Sequence, residues 1–182
     1  MKVTLIRHTS VNVAPGTCYG HTDVPLNDTF EEEARTVAQR LESSPFSDES
    51  FDAVYTSPLS RCRRLAKWCG YPQAEIEDSL KELNFGRWEM QRFEEISDPE
   101  LQLWFDDWFS FPAGGGESMA DQYERVKAFL NRCASEGKEN ILLFTHGGVI
   151  LCALLLVERI ALDHLFDSLP PYGDIIRINY PS

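Results

Sequence analysis

Val3-Thr4-Leu5-Ile6-Arg7-His8-Thr9 opens the chain and decides its fold class. The first four residues are apolar or β-branched and read as a buried strand. The strand ends in an arginine and a histidine. In α/β folds, sites gather at the carboxyl ends of strands, so both side chains stand where chemistry is done. Arginine offers a planar fork of donors that matches two phosphate oxygens. Histidine is largely uncharged at neutral pH and can act as a nucleophile or a proton carrier. One histidine at a strand end is as readily a structural residue. Here the arrangement recurs. Ile141-Leu142-Leu143-Phe144-Thr145 is a second apolar run, followed by His146-Gly147-Gly148 and a helical-looking stretch. Two strand-terminal histidines beside arginine point to phosphate chemistry.

Outward from these strands, the elements alternate. Residues 10–28 are polar, with Pro15-Gly16, Gly20 and Pro25, and form a loop long enough to cover a site. Asp28 is placed to cap a helix over 29–43, whose first turns carry Glu31, Glu32 and Glu33. Phe51–Tyr55 reads as a strand, and Thr56-Ser57-Pro58 leads into a helix over 59–69 closed by Gly70. Residues 75–88 are extended in character. Trp104, Phe105, Trp108 and Phe109 recur at helical spacing within 91–111 and read as core or lid packing. Ser118 and Asp121 form a capping box for a helix over 119–135. A buried helix over 147–158 and a strand over 174–179 complete the chain. This order predicts a three-layer α/β/α sandwich with a mainly parallel sheet and an antiparallel edge strand.

A length of 182 residues fits a single domain over 1–182, with residues 89–117 as a helical lid insertion. The net charge of −12 argues against nucleic acid and anionic membranes, which need a cationic face. It leaves a phosphate ligand open, because a few arginines in a cleft reverse the local potential. The expected partner is a small phosphomonoester, and a homodimer stays open. Cys18, Cys62, Cys69, Cys133 and Cys152 are odd in number and lack metal-ligand spacing. They read as reduced thiols of a cytoplasmic protein. No signal-peptide pattern follows Met1, and no metal or other cofactor is expected.

Three segments now converge: Arg7-His8-Thr9, Ser57-Pro58-Leu59-Ser60-Arg61 and His146-Gly147-Gly148. In this order they resemble the Arg-His-Gly, Ser-x-x-x-Arg and second-histidine motifs of the histidine phosphatase (phosphoglycerate mutase-like) superfamily, across essentially the whole chain. Within it, three further stretches resemble the α-ribazole phosphatases of cobalamin synthesis. They are Cys18-Tyr19-Gly20-His21-Thr22-Asp23, Leu80-Lys81-Glu82-Leu83-Asn84-Phe85-Gly86-Arg87-Trp88-Glu89 and Gly115-Gly116-Glu117-Ser118. Thr9 stands where glycine is more common. The family often has asparagine six residues after its first histidine; here that position is Ala14, and Asn12 is the candidate to replace it. A glycine usual in the first helix is Phe30, which should affect packing rather than chemistry.

The resemblance implies a phosphomonoesterase working through a phosphohistidine. His8 is the implied nucleophile. Arg7, Arg61 and His146, cationic or hydrogen-bonding, are implied to hold the equatorial oxygens where charge collects. Glu82 is the implied acid/base, because phosphate beside it favours its protonated form. Thr9, Asn12, Tyr19, Gly20 and Gly147 are the further candidates around the phosphate. Asp23 and Glu117 read as loop-fixing residues. The favoured reaction is α-ribazole 5′-phosphate to α-ribazole. A mutase-type phosphotransferase or a broad-specificity phosphatase is the competing enzyme reading. An inactive phosphate-ligand binding protein is the non-enzymatic one, and the complete set of five polar residues argues against it.

Overall fold

Five strands make one sheet in the computed structural model, which describes residues 1–43 and 50–181. They are β1 (Lys2–Arg7), β2 (Ala53–Thr56), β3 (Glu75–Ile76), β4 (Asn140–Thr145) and β5 (Ile175–Asn179), in the order β3-β2-β4-β1-β5. All pairings are parallel except β5 against β1, the antiparallel edge. Val3, Thr4, Leu5 and Ile6 are all shut off from solvent, as a strand covered on both faces must be.

Side-chain alternation divides the core. Val3, Leu5, Ile141 and Leu143 face α4 (Met119–Ser135) and α5 (Gly147–Leu156). Ile6, Leu142 and Phe144 face α1 (Phe30–Leu41) and α2 (Ser60–Trp68). The result is the expected three-layer α/β/α sandwich. Phe30 packs edge-on to Trp68 with ring centroids 5.8 Å apart, so its place in the first helix is one of packing. Among the described residues no helix is long and apolar enough to cross a membrane.

Local differences from the sequence reading have physical causes. The first helix starts at Phe30 with Thr29 at its N-cap, and Asp28 does not cap it. Glu33 instead ties this turn to the long loop, accepting from Ser10 N at 2.8 Å and from Thr29 Oγ1 at 2.6 Å. Phe51 lies before its strand and packs on Tyr71. Residues 75–88 contain only the two-residue β3, then short 3₁₀ turns at 78–80 and 86–88. In 91–111 the helix shrinks to α3 (Glu100–Asp106). Pro99 disfavours helical backbone at the residue before it and suits a helix start itself. The 119–135 reading holds, capping box included: Asp121 N donates to Ser118 Oγ at 3.1 Å and Ser118 N to Asp121 Oδ2 at 2.9 Å.

Candidate active site

Parallel register assembles the site. Arg7 pairs with Thr145 across β1 and β4, so the next residues, His8 and His146, meet at the carboxyl edge with ring centroids 5.1 Å apart. Thr56 pairs with Phe144 across β2 and β4, which brings Ser57 to the same edge. Ser57 Oγ lies 2.8 Å from His146 Nε2.

His8 is 2% exposed. Its Nδ1 lies 2.7 Å from the Thr9 carbonyl. A carbonyl only accepts, so Nδ1 carries the proton and the lone pair sits on Nε2. Burial, with Arg61 and Arg7 nearby, lowers its pKa to about 3. The imidazole is therefore neutral and nucleophilic across the physiological range. His146 is fully buried, and its pKa is also held well below the usual value, first by burial and then by Arg61. Of the two forms open from sequence, the neutral hydrogen-bonding one is present. Arg61 Nε donates to His146 Nδ1 at 3.3 Å, which leaves the ring proton on Nε2 for Ser57.

The two arginines are placed differently. Arg7 lies over the Tyr172 ring at 4.1 Å, and one of its terminal nitrogens donates to the Pro170 carbonyl. Its Nε is shut off from solvent and has no acceptor. That orphan donor beside His8 is suited to an anion. Arg61 is completely buried and also donates to the carbonyls of Gly20 at 2.6 Å and Thr22 at 3.0 Å. With its bond to His146, three of the five N–H groups of a guanidinium are occupied and two are left.

Glu82 belongs to the same cavity. Its Oε1 accepts from Leu83 N at 2.9 Å and Gln122 Nε2 at 3.0 Å, and its Oε2 from Gly148 N at 3.1 Å. The last donor is in the first turn of α5. A cavity of about 270 Å³ is walled by Arg7, His8, Tyr19, Glu82 and Gln122 on its polar side. Leu83, Phe85, Met119, Leu151, Phe166 and Leu169 form its apolar side. Tyr19 and Tyr172 meet across it with hydroxyls 2.7 Å apart.

Of the residues expected from sequence, Arg7, His8, Tyr19 and Glu82 line this cavity, while Arg61 and His146 lie directly behind His8. Thr9 and Gly20 contribute backbone carbonyls. A Cβ on Gly147 would stand 2.6 Å from Leu169 Cδ1 and 3.4 Å from the Arg7 guanidinium, so glycine permits this closure. Asn12 is exposed, outside the cavity wall, its N–H donating to the Pro25 carbonyl at 2.8 Å. Asp23 does fix a loop, accepting from Ser60 N at 3.0 Å and Oγ at 2.8 Å at the start of α2. Glu117 accepts from Arg125 Nε at 2.9 Å and Asn84 N at 3.0 Å.

Three contributors escape the motif reading, and a fourth, Glu89, stands in a quoted stretch without a role assigned to it. Glu89 accepts from the N–H groups of His21 (2.8 Å) and Thr22 (2.6 Å), pinning the loop whose carbonyls hold Arg61. Arg125 donates to the carbonyls of Ser79 (2.7 Å) and Glu82 (3.0 Å), clamping the segment that carries Glu82. Tyr172 sits over Arg7, its ring 5.4 Å from that of His8. Gln122, fully buried, holds the Glu82 carboxylate. It carries a readable signal: it occupies the apolar stripe Met119, Val126, Phe129, Leu130 and Cys133 of α4 as a polar residue.

Comparison with known proteins agrees with this geometry. The family model of the histidine phosphatase superfamily (branch 1) matches residues 3–182. Phosphoglycerate mutase-like protein 4 of Arabidopsis thaliana is 33% identical over 161 residues, covering 82% of this chain and 67% of its own. Phosphoserine phosphatase 1 of Hydrogenobacter thermophilus is 30% identical over 169 residues, covering 87% of this chain and 78% of its own. The crystal structure of the α-ribazole phosphatase from Shigella flexneri superposes with a TM-score of 0.82 at 26% identity, covering 98% of this chain and 90% of that one.

Proposed function

The chain belongs to the histidine phosphatase superfamily, branch 1, and from that premise we propose that it hydrolyses phosphomonoesters through a phosphohistidine on His8, with α-ribazole 5′-phosphate as its substrate. One observation carries the chemistry: a buried, neutral His8 has its proton fixed on Nδ1 by the Thr9 carbonyl, beside the orphan Nε of Arg7.

In the first step His8 Nε2 attacks phosphorus as the bond to the leaving oxygen breaks. The Glu82 carboxyl gives that oxygen its proton. In the second step Glu82 takes a proton from water, the water oxygen attacks phosphorus, and the P–N bond breaks to release phosphate and restore His8. Arg7 and Arg61 stabilise the equatorial oxygens. At an effective dielectric of 20, a charge pair near 4 Å is worth about 4 kcal/mol, so two guanidiniums matter. His146 acts as the neutral partner that orients Arg61. Gly20 orients it from the other side through its carbonyl. Tyr19 roofs the phosphate, and Gly147 lets the first turn of α5 approach it. Residues 89–117 serve as the inserted lid of a single domain. The free thiols fit a cytoplasmic setting.

Support for the substrate comes from the Shigella flexneri structure at a TM-score of 0.82, together with the Phe85-Gly86-Arg87-Trp88-Glu89 stretch. Mutase-like relatives favour a second reading, in which phosphate is returned to another hydroxyl. A turnover screen over α-ribazole 5′-phosphate, phosphoserine and 3-phosphoglycerate separates them. Free phosphate should be released fastest from α-ribazole 5′-phosphate. Isomerised phosphoglycerate without free phosphate would establish the mutase. Release from phosphoserine alone would remove the ribazole assignment, and no release from any ester would remove the phosphatase.

A further inference from the structure

Beside the catalytic cavity lies a second, larger one of about 610 Å³, lined only by Phe93, Trp104, Phe105, Trp108 and Phe166. Phe105 is 56% and Phe166 55% exposed, an unusual cost for rings that size unless something covers them. The two cavities adjoin at two points. Phe166 lines both. Phe85 of the catalytic wall packs edge-on against Phe93 of the groove, centroids 6.1 Å apart.

We propose that this groove holds the leaving group of the substrate, and that the leaving group carries a flat aromatic ring. The proposal rests on reading the His8 cavity as the site of phosphoryl transfer. Its size argument is direct. Enclosing a drug-sized ligand takes roughly 300–1,000 Å³, and the catalytic cavity offers about 270 Å³. An ester with a large alcohol must extend beyond it, and the groove adjoins its apolar side at Phe166. Aromatic walls receive a flat ring by stacked and edge-on contacts. Phe93, Trp104, Phe105 and Trp108 all come from the 89–117 segment, which gives that segment a task in selecting substrate.

The test compares two esters with the same reacting end: α-ribazole 5′-phosphate, which has an aromatic base, and ribose 5-phosphate, which has none. Wild type should prefer the first in kcat/KM by at least about tenfold. Phe105→Ser should cut that ratio several-fold, through KM. If wild type turns over both esters equally and Phe105→Ser leaves the ratio unchanged, the groove proposal is overturned while the phosphatase stands. Failure to hydrolyse either ester, or p-nitrophenyl phosphate, overturns the phosphatase itself. A dimer that Phe105→Ser converts to a monomer in sedimentation, with the ratio unmoved, would assign the groove to a second copy of the chain and overturn the proposal.

Discussion

Gly148→Ala tests the acid/base role of Glu82 without touching its carboxyl group. A Cβ at position 148 would stand 2.3 Å from Glu82 Oε1, against an ordinary contact of 3.4 Å or more. The carboxylate must retreat by about 1 Å, and the Gln122 amide, 2.7 Å away at Oε1, must give as well. Both are side-chain ends, so the fold can absorb the change. Alanine also suits helical backbone better than glycine, by up to about 1 kcal/mol. A misplacement of about 1 Å at a reacting group can cost 10²-fold. The expected result is a loss of about 10² in kcat/KM on ribose 5-phosphate, whose alkoxide needs a proton to leave. The loss on p-nitrophenyl phosphate should be far smaller, because that phenolate leaves unaided. The thermal midpoint should stay level or rise. Equal losses on both esters would mean the methyl obstructs the pocket. Wild-type rates on ribose 5-phosphate would refute the assignment of Glu82 as the acid, or the idea that its position matters.

Further outcomes are expected from the same geometry. Rapid quench should trap acid-labile phosphate on the wild type and none on His8→Ala; a His8→Ala enzyme with substantial turnover would end the covalent mechanism. Arg61→Ala should lower kcat/KM and weaken vanadate inhibition together, and unchanged vanadate inhibition in the folded variant would take Arg61 out of phosphate binding. Glu82→Gln should cost about 10²–10⁴ on an alkyl phosphate and much less on p-nitrophenyl phosphate. Stability should fall with acid because His8 titrates near 3 in the native state and near 6.5 when unfolded. Between those values the unfolded chain binds the extra proton, so stability drops as pH falls through the window. His8 accounts for about 2 kcal/mol of that loss between pH 7 and pH 5; urea denaturation of His8→Asn at the two pH values should show the dependence reduced by this much, and an unreduced dependence would refute it.

What could be read in the sequence follows from distance along the chain. The histidines announce themselves because each ends an apolar run, and parallel pairing of β1 with β4 then sets them side by side. The capping box of α4 is local, so its residues sufficed. The edge strand was likewise visible in the alternation of Ile176, Arg177 and Ile178. Tyr172 was not, since it reaches His8 through a loop before β5 that carries no pattern of its own. Arg125 looks like a surface charge until the segment it holds is placed, and Glu89 stands in a motif that does not disclose the loop it pins. The helical spacing of Trp104, Phe105, Trp108 and Phe109 overstated the helix, because the backbone leaves helical geometry at Asp107 (φ −145°, ψ 62°), between the two aromatic pairs. Arg61 is the subtlest case. Its motif marks it as a ligand for phosphate, yet the motif does not disclose that two loop carbonyls and a histidine already engage it.

That engagement explains how an acidic chain keeps a nucleophilic imidazole at its anion site. A histidine beside phosphate would ordinarily gain a proton and lose its lone pair. Here burial opposes the charged ring first, and the charge of Arg61 opposes it further. Arg61 can remain buried because Gly20, Thr22 and His146 satisfy part of its donor set. His146 can accept from Arg61 only while neutral, and burial first, with the same guanidinium second, keeps it so. The three groups are therefore mutually dependent: removing Arg61 lifts one of the causes that keep both imidazoles neutral, and protonating His146 takes an acceptor from Arg61. Glu89 belongs to this set although it is remote from phosphorus, because it pins the loop that supplies two of the acceptors. Glu89→Gln keeps its size but weakens its grip on His21 and Thr22. By this logic it should raise the pH at which kcat/KM begins to fall on the acid side, and an acid limb identical to wild type would show that the loop does not control the charge of His8.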